Sequence, residues 1–477
     1  MGLPPAHAKA MNLVPDFKLR RRLYQIFCGP MKQDRKKWDS SHRLINFAYA
    51  SPKQCHSINV LSCSYGKMRW KQSHFFSGMN NTPNFLFFIA ATSRGPNNKG
   101  GRYARRAINP GRPVMRNFFF PTIAGILMFC IGMEAFPEEL WLHPKCETLP
   151  SEVLGPFVTL GDGGILALQG AHALVSKDEG VTWESTPIFK EGETISISTE
   201  GALLRTRSGV IIAAFLNVSA QDWRWNSETH DADPGTRLPC CVIRSLDEGK
   251  TWQDFQTLHE DWTGAVRDII QTRDGRVVFT SMRLLNRPGR HCVLTYSSTD
   301  DGLTWKPSNL LDLGGNGHHD GATEATVEEL RDGRLWKLIR TNLGVFWEAF
   351  SDDGMYWRTM GQTTIDASSA PGMLKRLQSG RLLLVWNRRF PEGKTEYPLT
   401  GGDREWSEVP VSNHREELSV AFSEDDGKTW TTPVVVARQP GAWLAYPYVY
   451  ERKPGELWIT TMQGGVRVKV READLLP

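Results

Sequence analysis

Six short stretches of this chain carry residues that an apolar β core does not need: Thr199-Glu200, Arg267-Asp268, Glu324, Ser368-Ser369 and Tyr446, with His318-His319-Asp320 just upstream of Glu324. Carboxylates, a guanidinium and a phenol are the parts of proton-transfer and anion-binding chemistry. Charges gathered at one place are costly unless they bind something. Two other uses fit the same residues. They can pair with one another in a structural network. Alternatively, His318, His319, Asp320 and Glu324 can ligate a metal, which requires the two histidines to lie in a loop, because neighbours on a strand face opposite ways.

A repeat supplies the scaffold that would bring them together. Ser-x-Asp-x-Gly-x-Thr-Trp runs from Ser176 to Trp183, Ser245 to Trp252, Ser298 to Trp305 and Ser423 to Trp430, and an echo keeps Asp352, Gly354 and Trp357. The Ser and Asp side chains suit a turn that bonds its own backbone, Gly supplies a positive φ, and Trp buries a large ring at the start of the next strand. A turn glycine followed by an apolar β-type run recurs at Gly163, Gly209, Gly275, Gly333, Gly380 and Gly455. Six units of about four strands predict an all-β fold, a six-bladed β-propeller of four-stranded antiparallel blades. The sixth unit ends before its outer strand, so a strand from just before Phe157 is expected to complete it. The stretches named above precede the turn glycines and start the innermost strands, whose ends converge on the propeller axis.

The net charge of +5 hides two unlike parts. Residues 1–114 hold 20 Lys and Arg against 3 Asp and no Glu, which leaves 37 basic and 49 acidic residues in the remainder. The propeller is therefore mildly acidic and gives no sign of a nucleic-acid partner. Arg20-Arg21-Arg22 and Arg35-Lys36-Lys37 mark residues 1–114 as a basic leader, expected to be disordered or not native. Met115-Arg116-Asn117, an apolar run from Phe118 to Met133 and then Glu134-Ala135 have the layout of a secretory signal, over 115–135. That run is short for a membrane span. The propeller is assigned to 136–477, secreted or periplasmic, with no stable span in its mature form. Cys146, Cys240, Cys241 and Cys292 show no C-x-x-C metal spacing and read as buried free thiols. Two long intervals between boxes carry insertions, at Asn217–Pro239 and Asn387–Asn413, rich in Trp, Pro, Gly and charge.

Residues 150–470 resemble the sialidase (neuraminidase) superfamily. Glu324-Ala325-Thr326-Val327-Glu328-Glu329-Leu330 with Asp332-Gly333-Arg334 and Arg340 resembles the strand pair that carries the family's Glu and one Arg. His414-Arg415-Glu416-Glu417-Leu418 resembles the segment with another Arg, and Ala445-Tyr446-Pro447 the nucleophile position. The resemblance implies Tyr446 as nucleophile, Glu324 as its base, and Arg340 and Arg415 as forks for a sugar carboxylate. Guanidinium forks hold a carboxylate in a way that Lys cannot copy, and sialidases are the Tyr-nucleophile exception among retaining glycosidases. The family's acid/base Asp maps to Asp233, with Asp231 as the near alternative.

Two departures stand out. The Arg-Ile-Pro stretch that brings the family's first Arg is here Thr199-Glu200-Gly201-Ala202-Leu203, so Glu200 occupies that place and Arg267, one blade later, is the candidate replacement. Asp268 lies beside Arg267 as a pairing partner. Arg340, Arg415, Arg267, Glu200, Asp268, His318, His319 and Asp320 form the expected substrate-binding set. The leading expectation is an exported exo-glycoside hydrolase cleaving a terminal acidic or related sugar with retention, without a cofactor and with glycans as partners. A lectin-like propeller that keeps the pocket without the chemistry is the alternative.

Overall fold

The computed structural model describes residues 139–476 in full, together with three antiparallel strands, Phe47–Ala50, Ser57–Ser64 and Lys67–His74, in the order first, second, third. The signal-like segment 115–135 and most of the basic leader lie outside the described residues.

Each apolar run after a turn glycine is a strand, and each lies second from the axis in a small antiparallel sheet. Ile211–Asn217 (IIAAFLN) and Leu335–Arg340 (LWKLIR) are buried over nearly their whole length, as strands covered on both faces must be. The first blade is Phe157–Thr159, Ile165–Gln169, His172–Ser176 and Glu184–Pro187. The second is Ile197–Arg205, Ile211–Asn217, Cys240–Ser245 and Gln253–His259, and the third Val266–Gln271, Val277–Leu285, Arg290–Ser298 and Lys306–Pro307. Thr323–Glu329, Leu335–Arg340, Val345–Ser351 and Arg358–Asp366 make the fourth. The fifth is Met373–Arg376, Leu382–Trp386, Glu417–Ser423 and Val434–Arg438, and the sixth is Pro447–Lys453, Glu456–Thr461 and Arg467–Arg471.

Residues before Phe157 complete the ring. Glu147–Thr148 pairs with Arg467–Arg471 as the fourth strand of the sixth blade, and Trp141–Leu142 adds a fifth strand to the fifth blade. The protein is an all-β, six-bladed propeller. Among the described residues no helix is long and apolar enough to cross a membrane.

The box motifs work as turn locks. In the second blade Ser245 Oγ accepts the Gly249 N–H at 2.8 Å, and Asp247 accepts the Thr251 N–H and hydroxyl at 2.8 and 2.6 Å. The Trp252 indole N–H closes the turn on the Gly249 carbonyl at 3.2 Å. The same contacts recur in the boxes at Ser176, Ser298 and Ser423, apart from the indole bond of Trp430. The echo is organised one residue off the expected register. Ser351 accepts the Gly354 N–H at 2.9 Å and Asp353 accepts the Tyr356 N–H at 2.9 Å, so Asp353 fills the place read as Asp352. One residue is missing between Asp and Gly, which hid the serine. The box tryptophans are half-buried except Trp357, at 3% exposure.

The two repeats also interlock. A Cβ built on Gly249 would lie 2.2 Å from Leu166 Cδ1, on Gly302 2.8 Å from Ile212 Cδ1, and on Gly427 2.4 Å from Trp336 Cη2. Each partner stands three residues after the turn glycine of the preceding blade. The box glycine is therefore both a positive-φ turn residue (φ 83° at Gly249) and the floor on which the neighbouring blade packs. Apolar clusters fill the seams, such as Ile212, Val242, Val266 and Phe279 between the second and third blades. Cys240, Cys241 and Cys292 are buried free thiols, as expected, while Cys146 is half-buried and also free.

Candidate active site

Three innermost strands break register where the chemistry-bearing residues stand. Pairing of the second blade's inner strand jumps from Ile197 to Gly201, of the third from Val266 to Ile269, and of the fourth from Thr323 to Ala325. The residues set free are Ser198-Thr199-Glu200, Arg267-Asp268 and Glu324. A β-bulge leaves an extra residue out of the ladder and re-aims its side chain, which lets these groups leave the sheet for the axis.

Tyr446 stands immediately before the sixth blade's inner strand at φ 62°, a conformation that a bulky residue adopts only when its surroundings enforce it. The Met462 N–H bonds its carbonyl at 3.1 Å and the Gln463 N–H bonds the Ala445 carbonyl at 3.1 Å. The Tyr446 hydroxyl donates to Glu324 Oε1 at 3.0 Å. Arg340 Nη1 donates to both Glu324 oxygens at 2.8 Å and reaches the Tyr446 oxygen at 3.3 Å, while its Nη2 bonds Ser369 Oγ at 2.9 Å. Ser369 is held in turn by Asn342 Oδ1 at 2.7 Å.

Arg415 comes from the fifth blade. It donates to Gln463 Oε1 at 2.8 Å and to the Ser369 carbonyl at 2.6 Å, and lies 4.5 Å from the Trp443 ring centre and 5.6 Å from that of Tyr446. Arg267 donates to the Pro447 carbonyl at 2.8 Å and lies 5.3 and 4.9 Å from the ring centres of Tyr446 and Tyr448. Its Nε and Nη1, with Nε of Arg340 and of Arg415, are buried without a hydrogen-bond partner.

The charges do not balance. Arg267, Arg340 and Arg415 are 1%, 2% and 4% exposed. Burial pushes the Glu324 carboxyl up, but the Arg340 charge and the Tyr446 hydrogen bond overcome it and hold it down at about 2. Glu324 is thus one firm anion. Burial and then the nearby Arg340 charge lower Arg415 to about 10, the mark of a guanidinium short of counter-charge. Burial, with the Glu324 charge, raises the Tyr446 phenol, so it stays protonated until a base takes its proton. Glu200 keeps partial solvent contact, yet its charge is surrounded by protein atoms. That lost hydration, with Glu324 nearby, lifts it to about 7 against the pull of Arg267, Arg340 and Arg415.

The matching pattern in the sequence covers residues 174–459, more than half of the chain, and is that of the BNR repeat-like domain. The chain belongs to this family. Among curated proteins no relative matches it. Solved structures similar to this BNR repeat-like propeller include a protein of unknown function from Dyadobacter fermentans, at 18% identity and TM-score 0.47, covering 70% of this chain and 97% of that one. A Hadza microbial sialidase matches at 18% identity and TM-score 0.46, covering 67% and 65%. A variant of the NanB sialidase from Streptococcus pneumoniae matches at 14% and 0.45, covering 70% of each. The architecture is that of a BNR-repeat propeller.

Within this BNR propeller, Tyr446, Glu324, Arg340, Arg415, Arg267 and Glu200 come together, with His319 beside them through the Asn342 side-chain N–H on its carbonyl at 2.9 Å, whereas Asp268, Asp320 and Asp233 do not join them. Asp268 faces the opposite way from Arg267. It accepts the Thr326 hydroxyl at 2.6 Å and the Val327 N–H at 2.9 Å, stitching the third blade to the fourth, so Arg267 is not its partner. Asp320 is consumed by backbone groups, accepting the N–H groups of Asn316 and Gly321 in its own loop and of Glu408 in the insertion of the fifth blade. Asp233 is exposed in the insertion of the second blade, and its backbone rather than its carboxylate is anchored, to Arg224. Asp231 accepts the Arg287 N–H at 3.0 Å. No contact among the described residues joins either aspartate to the Tyr446 cluster.

His318 and His319 sit on the rim. The His318 N–H bonds the Glu405 carbonyl at 3.0 Å and its ring meets Trp225 edge-on at 5.5 Å; the His319 N–H bonds the Trp406 carbonyl at 2.9 Å. With the Ser227–Glu405 bond at 2.9 Å, these contacts join the two insertions into one wall. Among the described residues no group of three or more His, Cys, Asp or Glu is placed to hold a metal ion. Asn342, Gln463, Trp443 and Tyr448 belong to the site and were not singled out from the sequence. Tyr448 stands two residues after Tyr446, on the strand Pro447–Lys453 that follows it.

Proposed function

We propose that this protein is an exported exo-glycosidase that removes a terminal acidic sugar with retention, through a tyrosine nucleophile. The observation that carries the reading is the Tyr446 hydroxyl on an ionised Glu324 at 3.0 Å, ringed by three buried guanidinium groups with too little negative charge to match them. A sugar carboxylate seated on Arg415, Arg267 and Arg340 would supply the missing anion. It would also draw Arg340 away from Glu324, releasing a carboxylate that is otherwise too weak a base. Glu324 then takes the phenol proton as the Tyr446 oxygen attacks the anomeric carbon. A neutral phenol approaches that carbon without the repulsion that a carboxylate nucleophile would meet beside the substrate's own carboxylate.

The first-arginine place taken by Glu200 favours a second reading, a propeller that binds an acidic glycan intact. One experiment separates the two. Wild-type protein and Y446F are incubated with 4-methylumbelliferyl glycosides of sialic and other acidic sugars. Release of the fluorophore with net retention, lost in Y446F, supports the hydrolase. Tight binding by both proteins with the glycoside recovered whole supports the binder.

A further inference from the structure

We infer that Glu200 is the acid/base group that protonates the departing glycosidic oxygen, in the role that the sequence assigns to Asp233. The inference rests on the hydrolase reading above.

The placement of Glu200 is built in. Ser198, Thr199 and Glu200 bulge out of the second blade's inner strand. The Tyr448 hydroxyl, from the sixth blade, staples the bulge on both sides of Glu200: it lies 2.9 Å from the Thr199 carbonyl, 3.1 Å from the Gly201 carbonyl and 3.2 Å from the Gly201 N–H. Tyr448 is itself covered by Arg267, and Tyr446 precedes it by two residues. The carboxylate so held makes no hydrogen bond among the described residues and keeps contact with solvent. The acidic groups acting on the Tyr446 hydroxyl are Glu324 and Glu200. Glu200, Glu324 and Tyr446 come from the second, fourth and sixth blades, so a sugar on the axis meets them from different sides.

The electrostatics agree with this geometry. The groups facing Glu200 are Glu324, Arg267, Arg340, Arg415, Tyr446 and Tyr448. Two carboxyl groups with environments that push them apart divide the acid and base tasks between them. Here the Glu324 carboxyl, at about 2, is ionised, and the Glu200 carboxyl, at about 7, keeps its proton near neutrality.

The steps balance. In the first, the Glu200 proton passes to the glycosidic oxygen as the bond to the anomeric carbon breaks and its electron pair leaves with the aglycone. The Tyr446 oxygen bonds that carbon and its proton moves to Glu324. In the second, water adds to the anomeric carbon and gives a proton to Glu200, the tyrosyl bond breaks, and Glu324 returns the proton to Tyr446.

The test compares two glycosides of a sugar that the wild-type protein cleaves: the 2,4-dinitrophenyl glycoside, which leaves without a proton, and the methyl glycoside, which needs one. Glu200→Gln should lose about 100- to 10,000-fold on the methyl glycoside, the usual worth of general acid catalysis, and far less on the dinitrophenyl glycoside. Azide should restore turnover of the second step, and Glu200→Asp should recover part of the loss. For the wild type, kcat/KM on the methyl glycoside should fall above about pH 7. Equal losses on both glycosides would overturn the inference, and so would leaving-group selectivity appearing in Asp233→Asn instead. A wild-type protein that cleaves no acidic glycoside would overturn the hydrolase reading and this inference with it.

Discussion

At the residue scale the site is a set of charges waiting for a counter-ion, and that makes its behaviour calculable in sign. Arg415 holds its two neutral partners with Nη1 and Nη2 and leaves Nε unbonded. Arg415→Lys keeps the charge but loses the fork. A charge-assisted hydrogen bond contributes about 1.5–3 kcal/mol, so affinity for a sugar carboxylate should fall by about 10- to 150-fold. Titration followed by the fluorescence of Trp443, which stacks on Arg415, would measure it; unchanged affinity would remove the clamp. Glu200 makes a second prediction. Its folded pKa, about 7, is raised above the ordinary 4.5, so its contribution to stability is fully present below pH 4.5 and is lost as pH rises through 7. Glu200→Gln removes that loss. Melting temperatures of variant and wild type should coincide at pH 4 and separate in favour of the variant by pH 8. A constant difference across the range would mean that Glu200 titrates as an exposed carboxylate does.

At the element scale the repeats were legible because turn chemistry is local: a Ser, an Asp and a Gly at fixed offsets make the same lock wherever they occur. The pocket was less so, because β-bulges decide it. A strand read as a plain alternation sends Glu200 to a face by counting, whereas three residues looped out of register send it where Tyr448 holds them. Asp268 was misread as a partner for Arg267 by adjacency, although adjacent side chains leave a strand on opposite sides. Asp233 was placed by counting through an insertion, where no periodicity constrains the count. The lock itself gives a prediction with an internal control. Gly427 and Gly163 both have φ near 85°, at 83° and 87°. A Cβ on Gly427 would meet Trp336 at 2.4 Å, while one on Gly163 meets nothing within 4 Å. Gly163→Ala should therefore cost only about 1–2 kcal/mol for the left-handed backbone, and Gly427→Ala that plus about 1–3 kcal/mol of overpacking. Urea denaturation would compare them, and equal costs would show that the blades do not pack through the box glycine.

At the scale of the molecule, a propeller closes when its last blade is complete and packs on its first, and here residues 141–149 supply that closure. Thr148 and Glu147 pair with Val468 and Lys469, and the Leu149 N–H bonds the Arg467 carbonyl at 3.0 Å. Leu149, 3% exposed, then packs with Trp458 and Phe157, which links the sixth blade to the first. The Tyr450 and Thr159 hydroxyls bond across the same seam at 2.5 Å. The seam matters to the site because the sixth blade carries Tyr446 and the first adjoins the blade that carries Glu200. A chain starting at residue 139 should fold as a ring. One starting at residue 150 should lose the outer strand of the sixth blade and the Leu149 anchor, at a cost of about 2–5 kcal/mol for the buried leucine alone. Because Tyr446 and Glu200 are coupled through the Tyr448 staple, the shorter chain should also bind a carboxylate sugar more weakly, even at temperatures where its β circular dichroism is intact. Hydrogen exchange would locate the damage: protection should fall first in Glu456–Thr461 and Arg467–Arg471. Uniform protection in both chains would show that the ring closes through its other blade contacts and that residues 141–149 only decorate it.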